Sequence, residues 1–211
     1  MNFEEVLKVI VSKESLHGRW LNTLSYLEHL GHTKIMKSQN AESINIEILK
    51  HAHEEARHAY YLKKICLDTF GLNYTQFAED RLLAGQESRD YLNKLDYSIE
   101  EELKDSTTSK KPYLNYLYTT LIIEQRALYV YQLYDKLLKK THYAIPLTPL
   151  LKDESHHLME MNNLLKGADH SFNKRLCYFK QLEEELFLNF TNSLKTSVSN
   201  FSNKVLNYEK L

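Results

Sequence analysis

The chain contains five glycines and three prolines in 211 residues, and its apolar side chains recur at three- and four-residue intervals almost throughout. Breakers that sparse leave few places to turn, so the pattern demands long helices over many short strands. The spacing predicts a short amphipathic helix near Phe3–Val11, then helices over about 14–38, 43–69, 112–138, 149–166 and 171–197. The polar break Gln39-Asn40-Ala41 divides the first long pair, and Gly71 stands where a helix C-terminus favours glycine. Thr148-Pro149 supplies an N-cap followed by Pro at a first helical position. Between 72 and 111 the chain is more polar. There 75–83 and 87–104 still read as helical, and 105–112 reads as a linker. The three glutamates at 183–185 read as a solvated face of the last helix. No internal boundary is visible, so residues 1–211 are expected to form a single all-α domain.

Several acids sit where such helices should present leucine. Charged side chains almost never enter a core unless they are paired or hold a metal. Glu124 is the only acidic residue between Asp105 and Asp135, and its face carries Leu117, Thr120, Leu121, Ala127, Leu128 and Tyr131. Glu28 is the only one between Glu14 and Glu42, in line with Leu21, Leu24, Gly31 and Ile35. Two other helices carry Glu-x-x-His on apolar faces: Glu55-Ala-Arg-His58 and Glu154-Ser-His-His157. A spacing of three puts both side chains on one side of a turn, within reach of one metal ion.

Chance alone gives about one Glu-x-x-His in a chain of this composition. The sequence holds three, and Glu14-Ser-Leu-His17 reads as the accident. The order of the rest is the specific signal: Glu, Glu-x-x-His, Glu, Glu-x-x-His, one element per helix. Depth agrees for the first hairpin. Glu28 and Glu55 both fall ~20 Å below the turn at Ala41, at 1.5 Å per residue. In the second, Glu154 lies much nearer its turn than Glu124 does. Either the segment 139–147 returns partly extended, or the helix over 112–138 ends earlier.

The net charge of −1 and pI near 6.8 offer no footprint for nucleic acid or anionic lipid, and no apolar run reaches the 18 residues of a membrane span. The start, rich in acids and without a small-residue cleavage site, does not read as a signal peptide. Cys66 and Cys177 form no CxxC and read as free core thiols of a reducing compartment, so the expected location is cytoplasmic.

With these residues in view the chain resembles the ferritin-like superfamily of di-iron carboxylate proteins. There a Glu from each of two helices joins a Glu-x-x-His from each of the other two. Two hairpins joined by a roughly forty-residue crossover match its connectivity, and an additional C-terminal helix would be appended. The resemblance covers about residues 20–165 and implies Glu28, Glu55, His58, Glu124, Glu154 and His157 as metal ligands. It also implies that Asp153 orients His58 and Glu54 orients His157. The family more often has Asp at both positions, so Glu54 departs from the pattern. His32 and His51, one turn from Glu28 and Glu55, are candidate extra ligands or proton donors. His29, His53 and His156 are expected at the surface.

Four carboxylates balance two divalent cations, and oxygen–nitrogen ligation without thiolate suits two iron ions, with manganese as the alternative. The implied activity is a di-iron oxidase or oxygenase acting with O₂ on a small apolar organic substrate, served by an electron donor. The alternatives are a ferroxidase, a rubrerythrin-like peroxide scavenger lacking the rubredoxin CxxC pair, and a helical interaction protein without catalysis. A homodimer is compatible with any of them. Tyr129, Tyr131 and Tyr134, near Glu124 on its helix, are expected mainly to pack.

Overall fold

The computed structural model describes residues 2–39, 41, 44–104 and 110–208, with the side chains of the last stretch described as far as Phe201. Among them are seven α-helices and no strand: α1 (Phe3–Val11), α2 (Glu14–Ser38), α3 (Ile46–Phe70), α4 (Gly85–Glu102), α5 (Lys111–Leu138), α6 (Thr148–Ala168) and α7 (Phe172–Tyr208). None of the described helices is long and apolar enough to cross a membrane.

Helix ends follow local chemistry. Asn2 and Glu5 form a reciprocal capping box on α1, and the Asn45 side chain accepts from the Ile48 amide at the start of α3. These bonds satisfy amides that a helix start leaves open. Gly71 closes α3 at φ +87°, where a Cβ would be strained.

α2 and α3 form an antiparallel hairpin. The Ser25 hydroxyl donates to the Ala59 carbonyl and a His32 ring nitrogen lies 2.8 Å from that of Ala52, so descending one helix ascends the other. α5 and α6 form the second hairpin. Its connection, 139–147, lies outside any helix, and the stretch 143–147 lacks even turn structure. That short return lets Glu154, early in α6, sit level with Glu124, midway along α5. The crossover α4 packs on α5 and α7, while α1 sits at the opposite end of α2 from the hairpin turn, with Phe3 against Trp20 and Phe187.

Four expectations change here. The segment 75–83 contains a single 3₁₀ turn, Glu79–Arg81, with Leu82 and Leu83 buried just after it. α7 runs past 197 to Tyr208. Cys177 is exposed, unlike buried Cys66. Glu183 is 4% exposed, where Tyr91 and Arg126 from α4 and α5 receive it. The expected linker falls mostly on 105–109, and the break after Ser38 partly on Asn40, both outside the described residues.

Candidate metal centre

Glu28 enters from α2, Glu55 and His58 from α3, Glu124 from α5, and Glu154 and His157 from α6. None is more than 7% exposed. The structure gathers them, with His51, into two groups: Glu28, Glu55, His58 and Glu154 in one; His51, Glu55, Glu124 and His157 in the other. Each group offers donor atoms within 4.8 Å of one another, and Glu55 belongs to both.

In the first group His58 Nδ1 lies 3.5 Å from Glu28 Oε2, 3.8 Å from Glu55 Oε1 and 3.4 Å from Glu154 Oε1. In the second, His157 Nδ1 lies 3.4 Å from Glu124 Oε1 and 3.9 Å from Glu55 Oε1. His51 Nε2 is 3.1 Å from Glu124 Oε1 and 3.5 Å from Glu55 Oε1. Ligands at ~2.1 Å from one cation stand roughly 3–3.5 Å apart, so most of these spacings suit a shared ion better than a hydrogen bond. One expectation is corrected. Glu154 and His157 do not serve a single ion in this grouping but divide between the two. Three residues of helix rise ~4.5 Å, enough to carry the second side chain from one group to the next.

Orienting contacts surround the groups. His58 Nε2 donates to Asp153 Oδ2 at 3.1 Å, and His157 Nε2 donates to Glu54 Oε2 at 3.0 Å. Each bond fixes the tautomer and turns Nδ1 inward, the arrangement that ligand histidines need. Arg57 braces Asp153 at 2.8 Å. The Tyr131 hydroxyl donates to Glu28, and Tyr116 Oη lies 2.9 Å from His51 Nδ1. Gly31 belongs to the same assembly, since a Cβ there would fall 2.9 Å from Glu55 Oε2. His32 faces the Ala52 carbonyl instead of a site carboxylate. His29, His53 and His156 are exposed.

Charge and burial are finely opposed. Burial alone would lower His58, yet the Glu28 hydrogen bond and the Glu28 and Glu55 charges outweigh it and hold the imidazole at about 9. Burial likewise opposes the rise of His51, which Glu124 and Glu55 carry well above its ordinary range. Glu55 is pushed up by burial and by the charges of Glu124 and Glu28. Against its burial, Glu124 is pulled down by the His157 and His51 imidazoles beside it. Four carboxylates crowded together need positive charge among them.

Unsatisfied atoms supply the test of fit. Buried polar atoms are almost always paired. Among the described residues ten buried side-chain atoms lack a partner, and five belong to this assembly: Glu55 Oε1, His58 Nδ1, Glu124 Oε2, Glu154 Oε1 and His157 Nδ1. All five come from expected ligands, and all are lone-pair donors of the kind a divalent cation accepts. The residues fit two ions of carboxylate–imidazole preference.

The sequence reading did not single out Tyr116, which lies eight residues before Glu124 on α5 and so shares its face. It also left the place of His51 open. The only available signal was its position four residues before Glu55, on the same face of α3. Compared with protein-family models, with curated proteins and with solved structures, the chain matches none.

Proposed function

We propose that the chain is a ferritin-like dinuclear iron protein that uses O₂ to oxidise a small organic substrate. The observation that carries this reading is the pair of buried His/Glu groups sharing Glu55, with their lone pairs otherwise unpartnered. Glu28, His58 and Glu154 would hold one ion, His51, Glu124 and His157 the other, and Glu55 would bridge them. The bound pair would supply the electrons for O₂ reduction, which no side chain of the site can supply alone.

The protein's own part is positioning and proton control. Asp153 and Glu54 hold the His58 and His157 rings so that Nδ1 faces inward, and Tyr131 fixes the Glu28 carboxylate. Tyr116 pairs with His51 Nδ1, which would hold that ring with Nε2 toward the second ion and gives its other nitrogen a proton partner. An apolar cavity reaches all four site glutamates. It favours an organic substrate, since a hydrated cation gains nothing from an apolar approach.

A second reading has one observation in its favour. A smaller passage of about 40 Å³, lined by Ser38, Asp96, Asn115 and Thr119, also reaches Glu55 and Glu124. With Asp96 among its few polar groups, that route would suit iron supply to a ferroxidase. Anaerobic loading with Fe(II), then O₂, with optical and Mössbauer spectra recorded throughout, separates these readings. The oxidase reading expects two irons per chain that stay bound through repeated oxidation and reduction. Release of ferric mineral would favour the ferroxidase, and no iron uptake would end both.

A further inference from the structure

The apolar cavity, about 80 Å³ in volume, lies between α2 and α5 on one side and α4 and α7 on the other, with Glu28, Glu55, Glu124 and Glu154 at one end. We infer that this chamber is the substrate site and that its occupant is an uncharged, largely apolar molecule. The inference rests on the dinuclear reading above and adds the substrate class to it.

Its walls are apolar side chains such as Leu24, Leu92, Val130 and Phe190. The one cation in the lining is Arg126, which would ordinarily attract a carboxylate or phosphate. Here Glu183 neutralises the guanidinium and holds it on two of its nitrogens. Arg126 Nε donates to Glu183 Oε1 at 2.8 Å and Nη2 to Glu183 Oε2 at 2.6 Å, while Phe187 lies under the guanidinium at 4.0 Å. The Tyr91 hydroxyl donates to the same carboxylate at 2.6 Å. Glu183 therefore neutralises Arg126 within the wall and draws α4, α5 and α7 together around the chamber. An anionic substrate would meet a guanidinium whose charge a buried bidentate carboxylate already neutralises, and a cationic one would lose its hydration to apolar walls.

Other polar groups of the lining are also committed. Tyr131 donates to Glu28, and Ser88 donates to the Ala84 carbonyl at 2.8 Å. The Trp20 indole N–H is a buried lining donor without a partner, a place for one acceptor on an otherwise apolar molecule. A dry cavity of about 150 Å³ accommodates benzene. A chamber roughly half that size takes about three or four heavy atoms before any wall moves.

The test uses zinc-loaded protein, which is diamagnetic, and isobutene, an uncharged probe of four heavy atoms, read by saturation-transfer NMR with zinc counted on the same samples. Isobutene should bind, and isopropylammonium, of the same shape but charged, should not displace it. Ala127→Phe, which fills the chamber beside Glu124, should weaken isobutene at least tenfold while two zinc ions per chain are retained. Leu92→Phe makes the same test from α4 should the first variant not fold. Two zinc ions with no isobutene signal, or a signal indifferent to both substitutions, would overturn the chamber assignment alone. Displacement of isobutene by isopropylammonium would overturn the substrate class. So would displacement by acetate that disappears in the Arg126→Leu/Glu183→Leu double variant, since Arg126 would then be an anion hook. A chain that retains no zinc would remove the dinuclear reading itself.

Discussion

Two turns of this protein carry the same Glu-x-x-His spacing and behave in opposite ways. Glu55-x-x-His58 turns both side chains inward, and His58 meets Glu28, Glu55 and Asp153, which raise it to about 9 against the effect of burial. Glu14-x-x-His17 leaves Glu14 in solvent and buries His17 against Phe70 and Tyr143, with Tyr134 Oη 2.5 Å from Nε2. Burial there, helped by the charge of His142, pushes the imidazole down to about 4. One histidine is surrounded by acids and draws positive charge, while the other is surrounded by rings and refuses it. Spacing within a helix therefore does not make a metal site. What makes it is the carboxylates that other helices bring to the same depth.

Substitutions can break this contrast, and the largest effect is expected at the carboxylates. Glu124→Ala should drop metal content from two ions per chain to one or none, measured by plasma mass spectrometry. Glu14→Ala should leave it at two. Equal contents in the two variants would mean that the wrong motif was chosen.

Acid should next expose the His17 side of the comparison. Its pKa is lowered from 6.5 to about 4 in the folded chain, so below 6.5 the unfolded state binds the extra proton. The stability this neutral imidazole contributes is complete above 6.5 and is lost as pH falls toward 4. The loss is at most about 3 kcal/mol. Urea unfolding between pH 7 and 4 should show that slope, and His17→Gln should flatten it. An unchanged slope would assign the acid sensitivity elsewhere.

The orienting carboxylates come third. Asp153→Asn and Glu54→Gln keep size but lose charge, and each should weaken metal affinity by about 10–100-fold. Competition with a chromogenic chelator reads this directly. Values within a factor of two of the parent would make both residues surface charges.

Smallest is the effect at Gly31, where an added Cβ meets Glu55 Oε2. Gly31→Ala should cost about tenfold in affinity, near 1.4 kcal/mol, because a bridging carboxylate cannot swing aside without leaving an ion. Gly167→Ala meets nothing within 4 Å and should leave affinity unchanged.

Much of this arrangement could be read from periodicity, because helices keep their side-chain directions whatever they pack against. The faces of Glu28 and Glu124 and the register of α2 on α3 follow from residue spacing and hairpin geometry, whereas the pairing of Asp153 and Glu54 with the opposite histidines was implied only by the family resemblance. What spacing does not carry is contact between distant segments. Glu183 lies within three consecutive glutamates and looks solvated until Arg126 and Tyr91 arrive from two other helices. Exposure of Cys177 depends on which side of α7 meets the chamber, and a helix with apolar residues on several faces does not declare that. The division of Glu154 and His157 between two groups turns on a displacement of one helical turn.

X-ray absorption of the fully loaded protein tests the centre most directly, because Glu55 can bridge only if two ions lie side by side. The account predicts two ions per chain in oxygen and nitrogen shells, with a metal–metal vector of about 3.5–4 Å. A single isolated ion, or two with no such vector, would contradict it.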